Sequence, residues 1–127
     1  MQLGYIIHYV ENVGETIEFY EAAFGCARRF ITPEGDYGEL DTGATTLAFA
    51  SFELIAAAGK TPARADAKAP VSEIAFVTQD IEADFAKAVG AGAVAVQQPT
   101  EMAWGQTVSF VSDLNGFMVE ICTPVAA

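Results

Sequence analysis

The order of predicted elements in one half of the chain recurs in the other half, and this repeat constrains the fold most. In the first half an apolar strand (LGYIIHYV, 3–10) precedes a helix that begins after Asn12 and ends at Gly25, and three short strands follow. In the second half a strand (SEIAFV, 72–77) precedes a helix capped by Asp80, and three more strands follow. Both halves have the pattern β-α-β-β-β. The sequence therefore predicts an α+β fold of two similar modules that bury their sheets together.

Two pairs of equivalent positions set the spacing of the repeat. The valines that end the first strands, Val10 and Val77, lie 67 residues apart. The glycines of the last hairpins, Gly43 and Gly116, lie 73 residues apart. Insertions and deletions in loops account for the small drift.

The length of the chain predicts one compact domain that spans all 127 residues. The segment between the halves is rich in alanine, contains Gly59, Pro62 and Pro70, and is interpreted as a linker with room for one short helix. The predicted parts of the domain are module one at 1–51, the linker at 52–71 and module two at 72–127.

Composition excludes several classes of protein. The net charge of −11 argues against a nucleic-acid surface, because phosphates would be repelled. No apolar run approaches the length of a membrane span, and no secretory signal is recognised at the N-terminus. Cys26 and Cys122 are too few for a disulfide framework, so a cytoplasmic setting is expected. His8 is the only histidine of the sequence, which limits both acid–base and metal chemistry.

Glu120 is the most unusual residue of the last strand, because it stands between Val119 and Ile121 in a run that otherwise favours burial. Successive side chains of a strand point to opposite faces. If its two neighbours face the helices, Glu120 faces a cavity together with Met118 and Cys122. We predict Glu120 as the catalytic candidate, since a carboxylate in an apolar cavity tends to have a raised pKa. The alternatives are that it holds a cationic or hydroxyl group of a ligand, or that it is a structural carboxylate paired across the cavity.

Three segments of the sequence resemble the vicinal oxygen chelate superfamily, which includes glyoxalase I, extradiol dioxygenases and bleomycin-resistance proteins. They are YVENVGETIEFYEAAFG in the first module, EIAFVTQDIEADFAKAVGAGA in the second, and WGQTVSFVSDLNGFMVEI at the end. The resemblance covers nearly the whole chain apart from the linker. It implies paired βαβββ modules whose sheets curve around a cavity, often within a homodimer, and a small-molecule ligand.

In the metal-dependent members of that superfamily, four positions converge on the cavity. The resemblance places them at Tyr5, at Leu47 or Ala48, at Ser72 and at Glu120. Only Glu120 is a good ligand for a hard metal, whereas catalytic metals of this type usually need about three protein ligands. We therefore expect no cofactor, with Tyr5, Ser72 and Met118 as ligand-binding residues; a divalent metal held through Glu120 is the disfavoured alternative.

Strand parity assigns His8 and Glu73 to the face opposite the cavity, towards the helices. A satisfied core histidine is the simpler interpretation of His8. Glu73 is then a partner of His8 or of a backbone group, because a buried lone carboxylate is costly. In the alternative, a local bulge turns Glu73 into the cavity, where it binds the ligand.

Trp104 lies in the loop before the final hairpin and is predicted to line the pocket, with an interface position as the alternative. Arg28 and Arg29 are adjacent, so on a strand they point to opposite faces. One of them is expected to reach the pocket, and the other to be solvated.

Three functions follow from these residues and from the resemblance. The first is a metal-free protein of the bleomycin-resistance type that binds a small organic molecule. The second is a lyase, isomerase or dioxygenase whose metal site is rebuilt around Glu120. The third is an interaction protein with a vestigial pocket. The missing ligands favour the first function, and the fold alone cannot choose among them.

Overall fold

The computed structural model describes residues 1–125. The predicted domain also includes Ala126 and Ala127, which lie outside the described residues. The helices and strands, in chain order, are β1 (Tyr5–Val10), α1 (Val13–Phe24), β2 (Ala27–Ile31), β3 (Tyr37–Asp41), β4 (Thr46–Ser51), α2 (Phe52–Ala57), β5 (Glu73–Val77), α3 (Ile81–Gly90), β6 (Val94–Glu101), β7 (Thr107–Ser112) and β8 (Met118–Cys122).

The chain divides into two compact units. The first comprises residues 1–21 and 25–64, and the second comprises the last turn of α1 (22–24) and the chain from residue 65 onward. Each unit contains one mixed four-stranded sheet, ordered β1-β4-β3-β2 in the first and β5-β8-β7-β6 in the second. In both sheets the first strand pairs in parallel with the fourth, and the other pairs are antiparallel. The predicted α+β fold of two βαβββ modules is confirmed.

In the first unit, α1 has the predicted ends. The side chain of Asn12 accepts a hydrogen bond from the amide of Glu15 at 2.9 Å, and Gly25 ends the helix in the left-handed conformation. Tyr20 of α1 and Phe49 of β4 are both fully buried, with ring centroids 4.9 Å apart. This contact fixes α1 on one face of the first sheet.

The second unit ends in the predicted hairpin. The carboxylate of Asp113 accepts from the amides of Asn115 (2.8 Å) and Phe117 (2.9 Å) and so closes the turn between β7 and β8. Gly116 follows with φ at +90°. A Cβ at this position would lie 2.7 Å from the carbonyl oxygen of Ala65, so the turn tolerates only glycine without rearrangement.

Strand β6 is longer than the sequence indicates. A strand over 94–98 followed by a loop over 99–105 is predicted, but β6 extends to Glu101. It is an edge strand, and its pairing with β7 shifts register on both sides of Gln97. Edge strands and bulges accommodate proline, which lacks an amide donor, so Pro99 does not end the strand.

The predicted linker contains one short helix, α2, and the boundary between the two units at residues 64 and 65 falls within it. None of the helices in residues 1–125 is long and apolar enough to cross a membrane.

Each sheet has two faces. The face that packs against the helix of its own unit is called the helix face, and the opposite face is called the open face.

Candidate functional site

The open face of the second sheet brings together Glu73 and Glu120. Strands β5 and β8 run parallel, with Glu73 opposite Met118 and Ala75 opposite Glu120. Since alternate residues share a face, both glutamates and Met118 lie on the same face. Val119 of β8 is fully buried on the helix face. The predicted orientation of Glu120 follows from this alternation.

The titration of Glu120 depends on its burial and on the charge of Glu73. Partial burial raises the pKa of Glu120, and the charge of Glu73 raises it further. Burial likewise raises the pKa of the Cys122 thiol, with contributions from Glu120 and then Glu73. Within residues 1–125 neither glutamate has an ion pair or a side-chain hydrogen bond. The open face therefore presents two carboxylates as neighbouring hydrogen-bond acceptors, with Glu120 partly buried and Glu73 exposed.

The prediction for Glu73 was wrong about the face, and no bulge is needed to explain its position. Parity was assigned by aligning Val10 with Val77, but Val10 is fully buried on the helix face while Val77 is 62% exposed on the open face. The alignment was off by one residue. For the same reason Ser72 is not the equivalent of Tyr5: β5 begins at Glu73, and Ser72 lies just before it, exposed.

The open face of the first sheet carries Tyr5, which pairs with Thr46 across β1 and β4. Ala48 lies on the same face two residues further along β4, whereas Leu47 points to the helix face. Of the two alternatives for the second metal position, the geometry selects Ala48. His8 lies on the helix face, with its ring centroid 6.0 Å from that of Phe49, as its parity predicts.

A polar cluster on this same open face is not evident from the sequence pattern. Glu39 of β3 is only 8% exposed, and its carboxylate accepts from the hydroxyl of Tyr37 at 2.7 Å and from the guanidinium of Arg29 at 3.3 Å. Arg29 also donates to the hydroxyl of Thr46 at 2.9 Å. Strand β3 (YGELD) also contains Gly38 and a second acid, Asp41, so the apolar context that singles out Glu120 is absent at Glu39.

The adjacent arginines lie on opposite faces, as predicted, whereas a pocket at Arg29 stays a prediction. Arg29 reaches the open face, while Arg28 forms an exposed pair with Glu21 of α1 at 2.8 Å. Burial and the hydrogen bond to Glu39 raise the pKa of Tyr37 to about 12, so its hydroxyl remains a donor at all physiological pH values.

The residues at the superfamily's metal positions do not fit a metal. Tyr5 and Ala48 stand at the first-module positions, and the second module offers the two glutamates. Across the described part of the chain, no group of three or more histidine, cysteine, aspartate or glutamate side chains is placed to hold a metal ion. Two carboxylates fall short of the roughly three protein ligands that a catalytic metal of this type usually requires.

Trp104 lies in the turn between β6 and β7 and is 59% exposed. Its indole nitrogen donates to the side chain of Gln106 at 2.8 Å, and Gln106 in turn donates to the carbonyl of Thr123 at 2.8 Å. These bonds hold the indole in one orientation at the surface. The role of Trp104 in lining a pocket stays a prediction.

A cavity of about 110 Å³ lies on the helix face of the second sheet. Its wall includes the stacked rings of Phe24 and Phe76, 5.0 Å apart, and the hydrogen-bonded pair Thr78 and Asp84. None of the residues predicted to bind a ligand lines it. The cavity is therefore distinct from the open face that carries Glu120.

The repeated βαβββ modules, with polar groups on the open faces of both sheets, define the glyoxalase class of fold. The model of the Glyoxalase/Bleomycin resistance protein/Dioxygenase superfamily matches residues 2–121, and the chain belongs to this superfamily. A comparison with curated proteins finds no match.

Several solved structures share this fold. A glyoxalase/bleomycin resistance protein/dioxygenase family enzyme from Burkholderia phytofirmans PsJN has 19% identity and a TM-score of 0.82, covering 99% of this chain and 100% of that one. A glyoxalase-related enzyme from Fulvimarina pelagi has 17% identity and a TM-score of 0.82, with 98% and 88% covered. TioX from Micromonospora sp. ML1 has 19% identity and a TM-score of 0.74, with 97% and 98% covered. At these identities the likeness shows the fold alone.

Proposed function

We propose that this protein binds a small organic molecule without the metal that is usual in the superfamily. The observation that carries the proposal is the pair Glu73 and Glu120 on the open face of the second sheet. Two neighbouring carboxylates without partners are unfavourable in the free protein. A ligand that supplies a hydrogen-bond donor or a positive charge removes this penalty, so the pair favours binding.

The side chains around Glu73 and Glu120 indicate which class of ligand would bind there. Met118 and Phe110 share the open face with Glu120, since Met118 lies two residues away on β8 and Phe110 pairs with Glu120 across β7. These side chains offer apolar contact area next to the carboxylates. The ligand class is an organic molecule with an apolar body and an ammonium or hydroxyl group.

A second candidate function is an enzyme of the superfamily, a lyase, isomerase or dioxygenase rebuilt around Glu120. The raised pKa of Glu120 favours it, because a general base works best when its pKa approaches the working pH. In this candidate Glu120 would hold a divalent metal, and solvent would occupy the positions of the missing protein ligands. Metal content therefore separates the two functions.

Elemental analysis of protein purified without chelator tests this separation. The first function expects no stoichiometric zinc, nickel, iron or manganese. One tightly held metal per chain that disappears in Glu120→Gln would support the enzyme and contradict the metal-free proposal.

Binding is tested by calorimetric titration with benzylammonium and benzoate, two probes of similar size and opposite charge. We expect benzylammonium to bind more tightly, and Glu120→Gln to weaken it at least about tenfold, or roughly 1.4 kcal/mol. Glu101→Gln is the matched control, because Glu101 is an exposed glutamate at the end of β6. Equal losses in both variants, or tighter binding of benzoate, would contradict the proposed site.

A further inference from the structure

Arg29 occupies an irregularity in the pairing of β2 with β3. Arg28 pairs with Leu40 and Phe30 with Glu39, so Arg29 is an extra residue on an edge strand. Bulges of this kind redirect a side chain without breaking the sheet. Here the guanidinium extends over the open face, past β3, and reaches Thr46 on β4.

Only one of the three guanidinium nitrogens of Arg29 donates hydrogen bonds within the described residues. Its NH1 nitrogen donates to both Glu39 and Thr46, while its NH2 nitrogen lies 3.6 Å from the carboxylate of Asp41, in an ion pair too long for a hydrogen bond. Within residues 1–125 neither Nε nor NH2 forms a hydrogen bond. The side chain as a whole is 41% exposed.

The local charge decides which acceptors these donors can bind. Glu39 neutralises Arg29, and Asp41 adds a second negative charge nearby, so the cluster as a whole does not attract anions. The hydroxyl of Tyr37 donates a hydrogen bond to Glu39. Because this hydroxyl is neutral, it does not change the net charge of the cluster. The free N–H groups suit a neutral acceptor, such as a carbonyl oxygen, better than a carboxylate or a phosphate.

Aromatic side chains lie on the same open face as these donors. Phe30 is 41% exposed on the open face, and its ring centroid lies 6.0 Å from that of Tyr37. Tyr5 is exposed on the same face and close enough to contribute to the raised pKa of Tyr37. Planar rings stack well on aromatic side chains and on guanidinium planes.

We propose that the Arg29 cluster, defined as Arg29, Phe30, Tyr37 and Glu39, binds a neutral planar aromatic group that carries a carbonyl acceptor. The inference rests on the proposed small-molecule binding and assigns a recognition element to the first unit by itself. The carbonyl accepts from the free donors of Arg29, and the ring packs against Phe30 and Tyr37.

Nuclear magnetic resonance titrations of ¹⁵N-labelled protein test this inference with three probes of similar size: acetophenone, benzoate and benzylammonium. We expect acetophenone to shift the Nε–Hε resonance of Arg29 and the backbone amides of Phe30 and Tyr37. At equal concentration, benzoate and benzylammonium should shift them at least about threefold less. Unmoved resonances with acetophenone, or equal shifts with benzoate, would overturn the inference.

Two variants test whether acetophenone binds at Arg29. Removing Arg29 alone leaves Glu39 buried and uncompensated, so the double variant Arg29→Gln with Glu39→Gln is used to remove both charges. It should weaken acetophenone binding at least about fivefold, whereas the neighbouring Arg28→Gln should leave the affinity within about twofold. Unchanged binding in the double variant, or an equal loss in Arg28→Gln, would overturn the inference. If the double variant does not fold, the comparison of the three probes on the unaltered protein decides the matter.

The same titrations separate this inference from the proposed function. If benzylammonium perturbs resonances around Glu120 while acetophenone perturbs none in the first sheet, the inference fails and the proposed function stands. If no probe perturbs either open face, both fail.

Discussion

Gly116 offers a sharp test of the packing in the second unit, because the chain supplies its own control. Gly116 and Gly105 both have φ at +90°, and both lie in turns. A Cβ at Gly116 would lie 2.7 Å from the carbonyl oxygen of Ala65, whereas a Cβ at Gly105 would meet nothing within 4 Å. The two substitutions to alanine therefore share the backbone strain and differ in the steric clash.

The expected destabilisation can be estimated from these two terms. Placing alanine at positive φ costs about 1–2 kcal/mol in either turn. Overpacking adds about 1–3 kcal/mol at Gly116 alone, because a backbone carbonyl must move. Any change in the entropy of the unfolded chain is common to both variants and cancels in their difference. We therefore expect Gly116→Ala to lose about 1–3 kcal/mol more than Gly105→Ala.

Urea unfolding measures this difference, provided that both variants keep the slope of the unaltered protein. The entropy of unfolding is roughly 270 cal/mol/K for a chain of this length, so a 2 kcal/mol difference corresponds to about 7 °C in Tm. Equal destabilisation of the two variants would refute the reasoning. It would mean that the loop around Ala65 is not packed against the turn.

Three other predictions concern the site and the assembly. Since the folded-state pKa of Glu120 is raised, the folded protein holds this proton more tightly, and stability should fall as pH rises from about 4.5 through the folded-state pKa. Glu120→Gln should flatten this dependence and keep or raise Tm at neutral pH; a much lower Tm would make Glu120 structural. Trp104 fluorescence should change when benzylammonium binds, and insensitivity at saturation would place Trp104 outside the site. Light scattering at micromolar concentration should show a homodimer, because the edge strands expose unpaired backbone groups, and a monomer of 13.4 kDa would contradict this.

The parts of the fold that the sequence predicted well are those specified by local chemistry. Asn12 and Gly25 delimit α1 because an amide-capping side chain and a left-handed residue act within one turn of the helix. The face of Glu120 followed from two apolar neighbours in one strand. Neither inference required knowledge of what lies far away in the chain.

The predictions that were wrong depend on how residues far apart in the sequence pair with each other. Glu73 was assigned to the wrong face because a one-residue error in aligning the two halves inverts every side chain of a strand. Glu39 was overlooked because its burial depends on Arg29, ten residues away, and on a bulge that no local pattern announces. The sequence pattern predicts that the strand ends before Pro99, whereas irregular pairing at the sheet edge accommodates this proline within β6.

The bulge at Arg29 has a consequence for how proteins of this fold diverge. After the extra residue the pairing of β2 resumes, and Ile31 keeps its place opposite Gly38 on the helix face. The loss or gain of one residue at this point would exchange the group presented to a ligand while leaving the contacts with α1 in place. Chemical diversity on the open face can thus arise by insertion and deletion in an edge strand, without the compensating core substitutions that a change elsewhere in the sheet would require.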